Sequence, residues 1–485
     1  MRAFHSRPPL PVRIGRWIAC AAALALASAA APLPAQRQSG GLERFNQLYR
    51  ELVETNTTLS QGSCTEAADK MRARLIAAGY PAADARTIVP SEFPKQGNLV
   101  AQLKGSDPSV PPLLLIAHID VVEAKASDWT RDPFRLVEEG GYYYARGAVD
   151  DKAMAAAFVD LVVRYREEGF KPVRTIKLAL TCGEETDNVF NGVQYLLKTE
   201  PETLRAGFAV NEGGKGYLDE AGRPQIFGIQ VGEKIYQDFK LVAKSSGGHS
   251  ARPVKENAIV RLAAATMRVG NFEFPLRVGE VTRTFFARSA AQVQGQIKAD
   301  MERLGTGQAD AATVARIAAA NPVWNAMLRT TCVPTMVQAG HAPNALPQRA
   351  EATVNCRILP GETVEAVHEQ LRRVVGDTAL EVALADAPGP VSAPPPLTDG
   401  IVGPVERLVA EMWPGIPVVP SIATSATDGR FLNAAGISTY GISGMFVDPD
   451  GNGVHGLNER IRIKSLHEGR DFLYRLIKIY AMQRR

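Results

Sequence analysis

Apolar positions along the chain fall into two rhythms. Leu42 to Val53 and Ala67 to Ala78 repeat at helical spacing, the second ending at Gly79, and Ala153 to Glu168 does so again before Gly169. Between them lie unbroken apolar runs: Pro112-Leu113-Leu114-Leu115-Ile116-Ala117, Thr175-Ile176-Lys177-Leu178-Ala179-Leu180 and Gly207-Phe208-Ala209-Val210. Runs without alternation predict strands buried on both faces, so residues 36–228 read as the first part of an α/β domain.

The rhythm then changes. Tyr236 to Ala243 alternates apolar and polar positions, as a strand with one wet face does, and a helix over Asn257 to Val269 follows. Strand Ala350 to Ile358 and helix Val364 to Val375 repeat that order, so residues 229–390 are expected to form an inserted α+β domain. Ala387-Pro388-Gly389-Pro390 and Ala393-Pro394-Pro395-Pro396 mark a stiff connector at its end. Helix Val402 to Met412, strand Ser438 to Ile442 and helix Ser465 to Met482 return to the first style, and residues 391–485 complete the α/β domain.

Composition narrows the class. Of 485 residues, 45% are hydrophobic and 22% charged, which excludes a disordered, collagen-like or multi-span membrane protein. The net charge of +4 comes from Arg2, Arg7, Arg13 and Arg16; the remainder balances at 51 basic and 51 acidic residues, leaving no electrostatic footprint for nucleic acid or an anionic membrane. Those arginines precede an apolar stretch from Trp17 to Ala31 and the turn-rich Pro32-Leu33-Pro34-Ala35, the layout of a signal peptide over residues 1–35 cut after Ala35. The stretch is shorter than the about 20 residues of a membrane span, so the protein is expected to be exported, periplasmic or secreted, with no membrane partner after cleavage.

Export permits disulfides. Cys332 and Cys356 flank one segment and could pair, whereas Cys182, in an apolar strand, is expected to be a buried thiol. The sequence holds no Cys-x-x-Cys pair, which argues against a thiolate zinc site.

Familiar signatures of other chemistries are missing. Neither His368-Glu369 nor His467-Glu468 continues into His-Glu-x-x-His, Gly441-Ile442-Ser443-Gly444-Met445 fails the nucleophile elbow at its last position, and there is no phosphate-binding loop. What remains is a set of metal-capable side chains where the buried strands end. His118-Ile119-Asp120 closes one, Glu184-Glu185 lies just past the next, Glu212 follows the third, and Asp150-Asp151-Lys152 precedes a helix. In an open α/β sheet, ligands bind beyond the carboxyl ends of the strands. Singly, each acid also fits a helix cap or a solvated loop; together, with glycines at 147, 183, 213 and 214, they point to one crevice.

These residues resemble the co-catalytic zinc exopeptidases and amidohydrolases that include aminoacylase, glutamate carboxypeptidase and succinyl-diaminopimelate desuccinylase. The resemblance runs through His118-Ile119-Asp120, Arg146-Gly147-Ala148-Val149-Asp150-Asp151-Lys152, Gly183-Glu184-Glu185, Asn211-Glu212-Gly213-Gly214, Gly247-Gly248-His249-Ser250-Ala251-Arg252-Pro253 and Gly453-Val454-His455. It implies an α/β/α sandwich catalytic domain interrupted by a ferredoxin-like lid or dimerisation domain, through which a homodimer would form. It also implies that Asp150 bridges two divalent ions, with His118 and Glu212 completing one set and Glu185 and His455 the other. Nitrogen and oxygen donors suit zinc, with cobalt or manganese able to substitute.

In the same resemblance Glu184 is the general base, Asp120 stands behind His118 and fixes its tautomer, and His249 stabilises the oxyanion from a partner subunit or after domain closure. Asn344 and Arg357 match the substrate clamp, the guanidinium suiting the carboxylate of a peptide or N-acyl amino acid, and Asp428 lines the same pocket. Ala145, Ala153, Asn211 and Ser425-Ala426 depart from the usual pattern without removing a ligand. The expected function is hydrolysis of an amide bond beside a free carboxylate, by a carboxypeptidase or an N-acyl amino-acid hydrolase. The alternatives are an acyltransferase use of the site and a binding protein that kept the fold without catalysis.

Overall fold

The computed structural model of the protein describes residues 34–186, 189–391 and 393–484. Apart from Pro34 and Ala35, the expected leader lies outside these residues. The described residues divide into two units, the first ending at Glu43 and the second beginning at Arg44. The first contributes the opening turns of the helix Pro34–Glu54, and the second carries all the sheets.

The three apolar runs form strands Leu113–His118, Ile176–Thr181 and Phe208–Asn211, almost entirely buried because helices cover the faces. They lie parallel, Leu113–His118 between the other two, and Ser438–Gly441 extends the parallel group beside Phe208–Asn211. These four are the centre of a ten-stranded mixed sheet that continues through Asn98–Leu103 and Ala85–Ile88 on one side and Pro224–Glu233 on the other. The architecture is α/β with a large central sheet. Because the strands are parallel, His118, Thr181, Asn211 and Gly441 reach the same edge, His118 directly opposite Thr181 and Asn211 opposite Gly441. Helix Lys152–Glu167, buried along most of its length, packs behind Leu113–His118.

A second, all-antiparallel sheet is built from Thr331–Ala339, Arg349–Ile358, Ile235–Lys244 and Leu380–Leu384, in that spatial order. Helices Ala258–Gly270 and Val364–Val375 cover it and share a core with Phe239, Leu241, Val354 and Ile358. It begins at Ile235 rather than residue 229, since residues 229–233 belong to Pro224–Glu233, which pairs in parallel with Val418–Ala423 of the large sheet. Residues 280–328, for which no element is expected from the sequence pattern, form four helices, Glu280–Ser289, Gly295–Gly305, Ala311–Ala320 and Pro322–Leu328, which close around Phe286, Met301, Leu304, Ile317 and Leu328.

Cys332 and Cys356 lie directly opposite each other on neighbouring strands and are joined. Cys182 is not the expected free thiol: it is joined to Cys64 at the start of helix Cys64–Ala77. An apolar strand end predicted burial, and 0% exposure bears that out, but the partner lies 118 residues away and burial itself gave no sign of it.

Candidate metal centre

The site is assembled from the loops that leave the parallel strands. His118 is the last residue of its strand, and its side chain is 1% exposed. Its Nδ1 lies 3.1 Å from the backbone oxygen of Asp120 and 3.6 Å from that residue's carboxylate. A carbonyl can only accept, so Nδ1–H is the donor there and Nε2 is the ring nitrogen turned to the crevice. The carboxylate of Asp120 does something the sequence did not suggest, accepting the backbone N–H groups of Glu184 at 3.3 Å and Glu185 at 3.1 Å. It therefore orients the acidic loop more directly than the histidine.

Asp150 lies between two imidazoles. Its Oδ1 is 3.1 Å from His118 Nε2 and its Oδ2 is 3.3 Å from His455 Nε2. Glu212 Oε1 lies 3.7 Å from His118 Nε2, and Glu185 Oε1 lies 2.9 Å from His455 Nε2. Glu184 presents an oxygen within 4.8 Å of donor atoms of His118 and Glu212. The six residues are thus together, His118 deepest and His455 at the mouth with half its side chain exposed.

Donors around one tetrahedral zinc at about 2.0–2.1 Å stand roughly 3.3 Å from one another. The separations of 2.9 to 3.7 Å match that spacing on both sides of Asp150. Electrostatics agree. Burial pushes Glu212 up to about 7 against the charge of His118, with Asp150 and Glu185 adding to the rise, and burial followed by Glu212 pushes Glu184 well above the usual carboxylate range. Hydrogen bonds to Asp150 and Glu185 raise His455 to about 10. Carboxylates packed this closely out of water repel one another, and divalent cations remove that penalty by supplying the missing positive charge. The donor set fits such ions.

Several supporting residues were not foreseen. Glu459, 0% exposed, accepts Arg146 Nη1 at 2.8 Å and the backbone N–H groups of Gly147, Val149 and Asp150 at 3.1, 2.8 and 3.1 Å, so it moulds the loop that presents Asp150. Lys215 faces Asp150 and Glu212, whose charges raise its pKa against the opposing effect of burial. It follows Gly214, whose φ of +55° and approach to Gly441 leave no room for a side chain: a Cβ there would sit 2.0 Å from the Gly441 carbonyl oxygen. A carboxylate four residues past a candidate ligand was the one sequence signal for Glu459, and it is a weak one.

The expected substrate residues are placed differently. Asp428 is 2% exposed and accepts Thr181 Oγ1 at 3.0 Å and Asn191 Nδ2 at 2.7 Å, so its carboxylate holds a strand end and a loop rather than lining an open pocket. His249 and Asn344 come side by side, the Ser250 N–H donating to the Asn344 carbonyl where His249 pairs with Ala345. Both are exposed and make no hydrogen bond or ion pair with the six site residues. Arg357 stacks its guanidinium over the ring of Tyr236, 4.6 Å from its centre, with the charges of Lys234 and Arg430 nearby.

Comparison with known proteins follows this geometry. The profile of peptidase family M20/M25/M40 matches residues 114–479, a span from the first parallel strand to the last helix. The N-fatty-acyl-amino acid synthase/hydrolase PM20D1 of Mus musculus is 29% identical over 413 residues, covering 83% of this chain and 81% of its own. The probable carboxypeptidase S-like 2 of Dictyostelium discoideum is 29% identical over 393 residues, covering 79% and 74%. Among solved structures, the M20 family metallo-carboxypeptidase Sso-CP2 from Sulfolobus solfataricus superposes with a TM-score of 0.67 at 19% identity, covering 90% of this chain and 99% of that one.

Proposed function

The chain belongs to peptidase family M20/M25/M40 and is an amidohydrolase, and from that membership we propose that it is an exported two-metal hydrolase releasing an amino acid from an N-acyl amino acid or a peptide C-terminus. The observation that carries the reading is the division of Asp150 between His118 and His455, one carboxylate oxygen to each imidazole. His118, Asp150 and Glu212 would hold one ion, and His455, Asp150 and Glu185 the other. Zinc suits these donors best, and when bound the pair would polarise the scissile carbonyl and acidify a water between them.

The chain's own groups do the rest. Glu184 takes the water's proton on its carboxylate and delivers it to the leaving nitrogen, a relay suited to a group whose pKa burial has raised well above the usual carboxylate range. Asp120 keeps Glu184 and Glu185 aimed through their backbone N–H groups. Arg357, for which no salt bridge is found among the described residues, receives the substrate carboxylate, with Asn344 beside it in the clamp. His249 reaches the developing oxyanion when the four-stranded sheet closes as a lid or from a second copy. A second copy is supported by the outer strand Thr331–Ala339, which pairs on one side only and leaves Val333, Met336 and Val337 exposed.

The substrate class rests on two supports. A guanidinium with no salt bridge among the described residues, acted on by the Asp238 charge from further off, suits a substrate carboxylate, and one relative is named for N-fatty-acyl-amino acids. That relative is named a synthase as well, and amide formation through the same groups is the reverse of the proposed step. Two disulfides support an oxidising compartment. A non-catalytic binding role is disfavoured by the cost of keeping these carboxylates together without cations.

The deciding experiment measures metal content of the mature protein and hydrolysis of dipeptides and N-acyl amino acids, with and without a chelator. About two zinc ions per chain and chelator-sensitive release of a free amino acid are expected. Absence of tight metal binding, with no cleavage after zinc is added, overturns the reading.

A further inference from the structure

The loop that carries Glu184 and Glu185 starts and ends at one residue. It leaves the sheet at Cys182, turns at Gly183 with a φ of +89°, and returns where the Gly192 N–H donates to the Cys182 carbonyl at 2.7 Å. Gly183 packs so closely against the returning segment that a Cβ would sit 2.2 Å from the Phe190 oxygen. Cys182 is therefore the knot of this loop, and what fixes Cys182 fixes both glutamates.

Cys182 is held from several sides, its sulfur also lying against Gln96 Oε1. Its N–H donates to Asn98 Oδ1 at 3.0 Å, and its sulfur is joined to Cys64, the first residue of helix Cys64–Ala77, whose amino end is capped by Ser63. Both cysteines are buried, 2% and 0% exposed. Asp120 lies in the same cluster, with a carboxylate oxygen within 4.8 Å of both sulfurs, and it is this carboxylate that accepts the Glu184 and Glu185 N–H groups. A covalent bond to a helix end, a carboxylate and the acidic loop thus form one packed unit directly behind the metal ligands. Cys332–Cys356, by contrast, staples two adjacent strands of the other sheet.

We propose that Cys64 and Cys182 are positioning residues for the reaction: their disulfide holds Glu184 and Glu185 in register with Asp150 and His455, so metal affinity and turnover depend on its oxidation. Reduction by a dithiol would deliver two electrons and two protons to the pair, forming two thiols as the dithiol closes to its own disulfide. The loop would then keep only its hydrogen bonds, and the carboxylate of Glu185 would wander relative to His455. Because both sulfurs are buried, reduction must await local opening, so the linkage acts as a slow lock. The inference rests on the hydrolase reading for its kinetic consequence and stands separately on metal affinity.

The test compares C64A/C182A with C332A/C356A and wild type, measuring zinc affinity by competition with a chelating dye, and kcat and KM below the unfolding temperature. Zinc binding to C64A/C182A should weaken by about 10-fold or more, as when a group orienting a ligand is lost. Its kcat should fall by about 10–100-fold while KM stays within about threefold, and zinc affinity of C332A/C356A should stay within about twofold of wild type. If C64A/C182A does not fold, wild type reduced with a dithiol and freed of it by gel filtration before zinc is added supplies the same readout. Zinc affinity should then fall in step with the fraction of Cys64–Cys182 opened, counted by alkylation and peptide mass, and recover on reoxidation. Equal effects in both pairs, or wild-type zinc affinity and kcat in C64A/C182A, overturn the proposal. An active, zinc-binding wild type insensitive to this pair defeats the positioning role alone; a wild type that neither binds zinc nor cleaves defeats the hydrolase reading as well.

Discussion

Arg146 and Glu459, 313 residues apart, form a buried ion pair of 2.8 Å with both side chains almost wholly removed from water. The same carboxylate also receives three backbone N–H groups from Gly147, Val149 and Asp150, so one side chain sets the course of the loop that ends in the bridging aspartate. Removing its charge leaves a buried guanidinium uncompensated. Glu459→Gln should destabilise the fold by about 3–5 kcal/mol in urea unfolding and weaken zinc binding by about 10–100-fold. Wild-type stability in that variant would show that the pair is not the loop's anchor.

Glu184 and His455 separate chemistry from metal binding. Glu184→Gln keeps the size and an acceptor oxygen of the side chain but cannot carry the proton, so metal content should remain while kcat falls by about 10²–10⁴. His455→Ala should lose one of the two ions and activity with it, since His455 Nε2 faces both Asp150 and Glu185. Elemental analysis beside rate measurements checks both variants. Near wild-type turnover in Glu184→Gln would remove the assigned base.

How much of this was legible in the chain depends on the range of the interactions. Leu113–His118, Ile176–Thr181 and Phe208–Asn211 could be read because burial on both faces demands unbroken apolar runs, and the acids that follow them fall at one sheet edge as parallel pairing requires. Pairings between distant segments left no such trace. Glu459 finds Arg146 and Cys182 finds Cys64 across more than a hundred residues, and neither shows in any local pattern. Strand Pro224–Glu233 contains Gly228 and Gly232, which weaken a strand signal, and pairs in part with residues some two hundred positions later. The helices between Glu280 and Leu328 are short, and their shared core of Phe286, Met301, Leu304, Ile317 and Leu328 exists only once they pack together. Asp428, which the family resemblance put in the substrate pocket, is instead drawn inward by Thr181 and Asn191, partners far along the chain that no local pattern shows.

Arg357 offers a test of substrate choice. Burial lowers its pKa yet leaves the guanidinium charged, and the ring of Tyr236 beneath it holds the fork in place. Arg357→Ala should raise KM for a free-acid N-acyl amino acid by about 10–100-fold with a smaller change in kcat. The amide or methyl ester of the same substrate, lacking the negative charge, should lose little. Equal losses for acid and ester would remove Arg357 from carboxylate recognition.

The helical segment carries its own pH signature. Asp300, 0% exposed, accepts Arg316 through two bonds of 2.8 and 2.7 Å and Gln296 at 3.0 Å, and the hydrogen bonds from Arg316 lower its pKa to about 2. A carboxyl whose pKa is lower in the folded than in the unfolded chain binds its proton more readily when unfolded, so between the two values stability rises with pH. The pair's contribution is therefore complete above the unfolded value of about 3.9 and disappears as pH falls through about 2. With Arg316 nearly half exposed, solvent screening keeps that contribution small. Asp300→Asn should accordingly be slightly less stable than wild type at neutral pH, and urea unfolding of the two proteins should converge as pH is lowered toward 2. A gap that stays constant or widens on acidification would mean that the Arg316 pair contributes nothing through its charge.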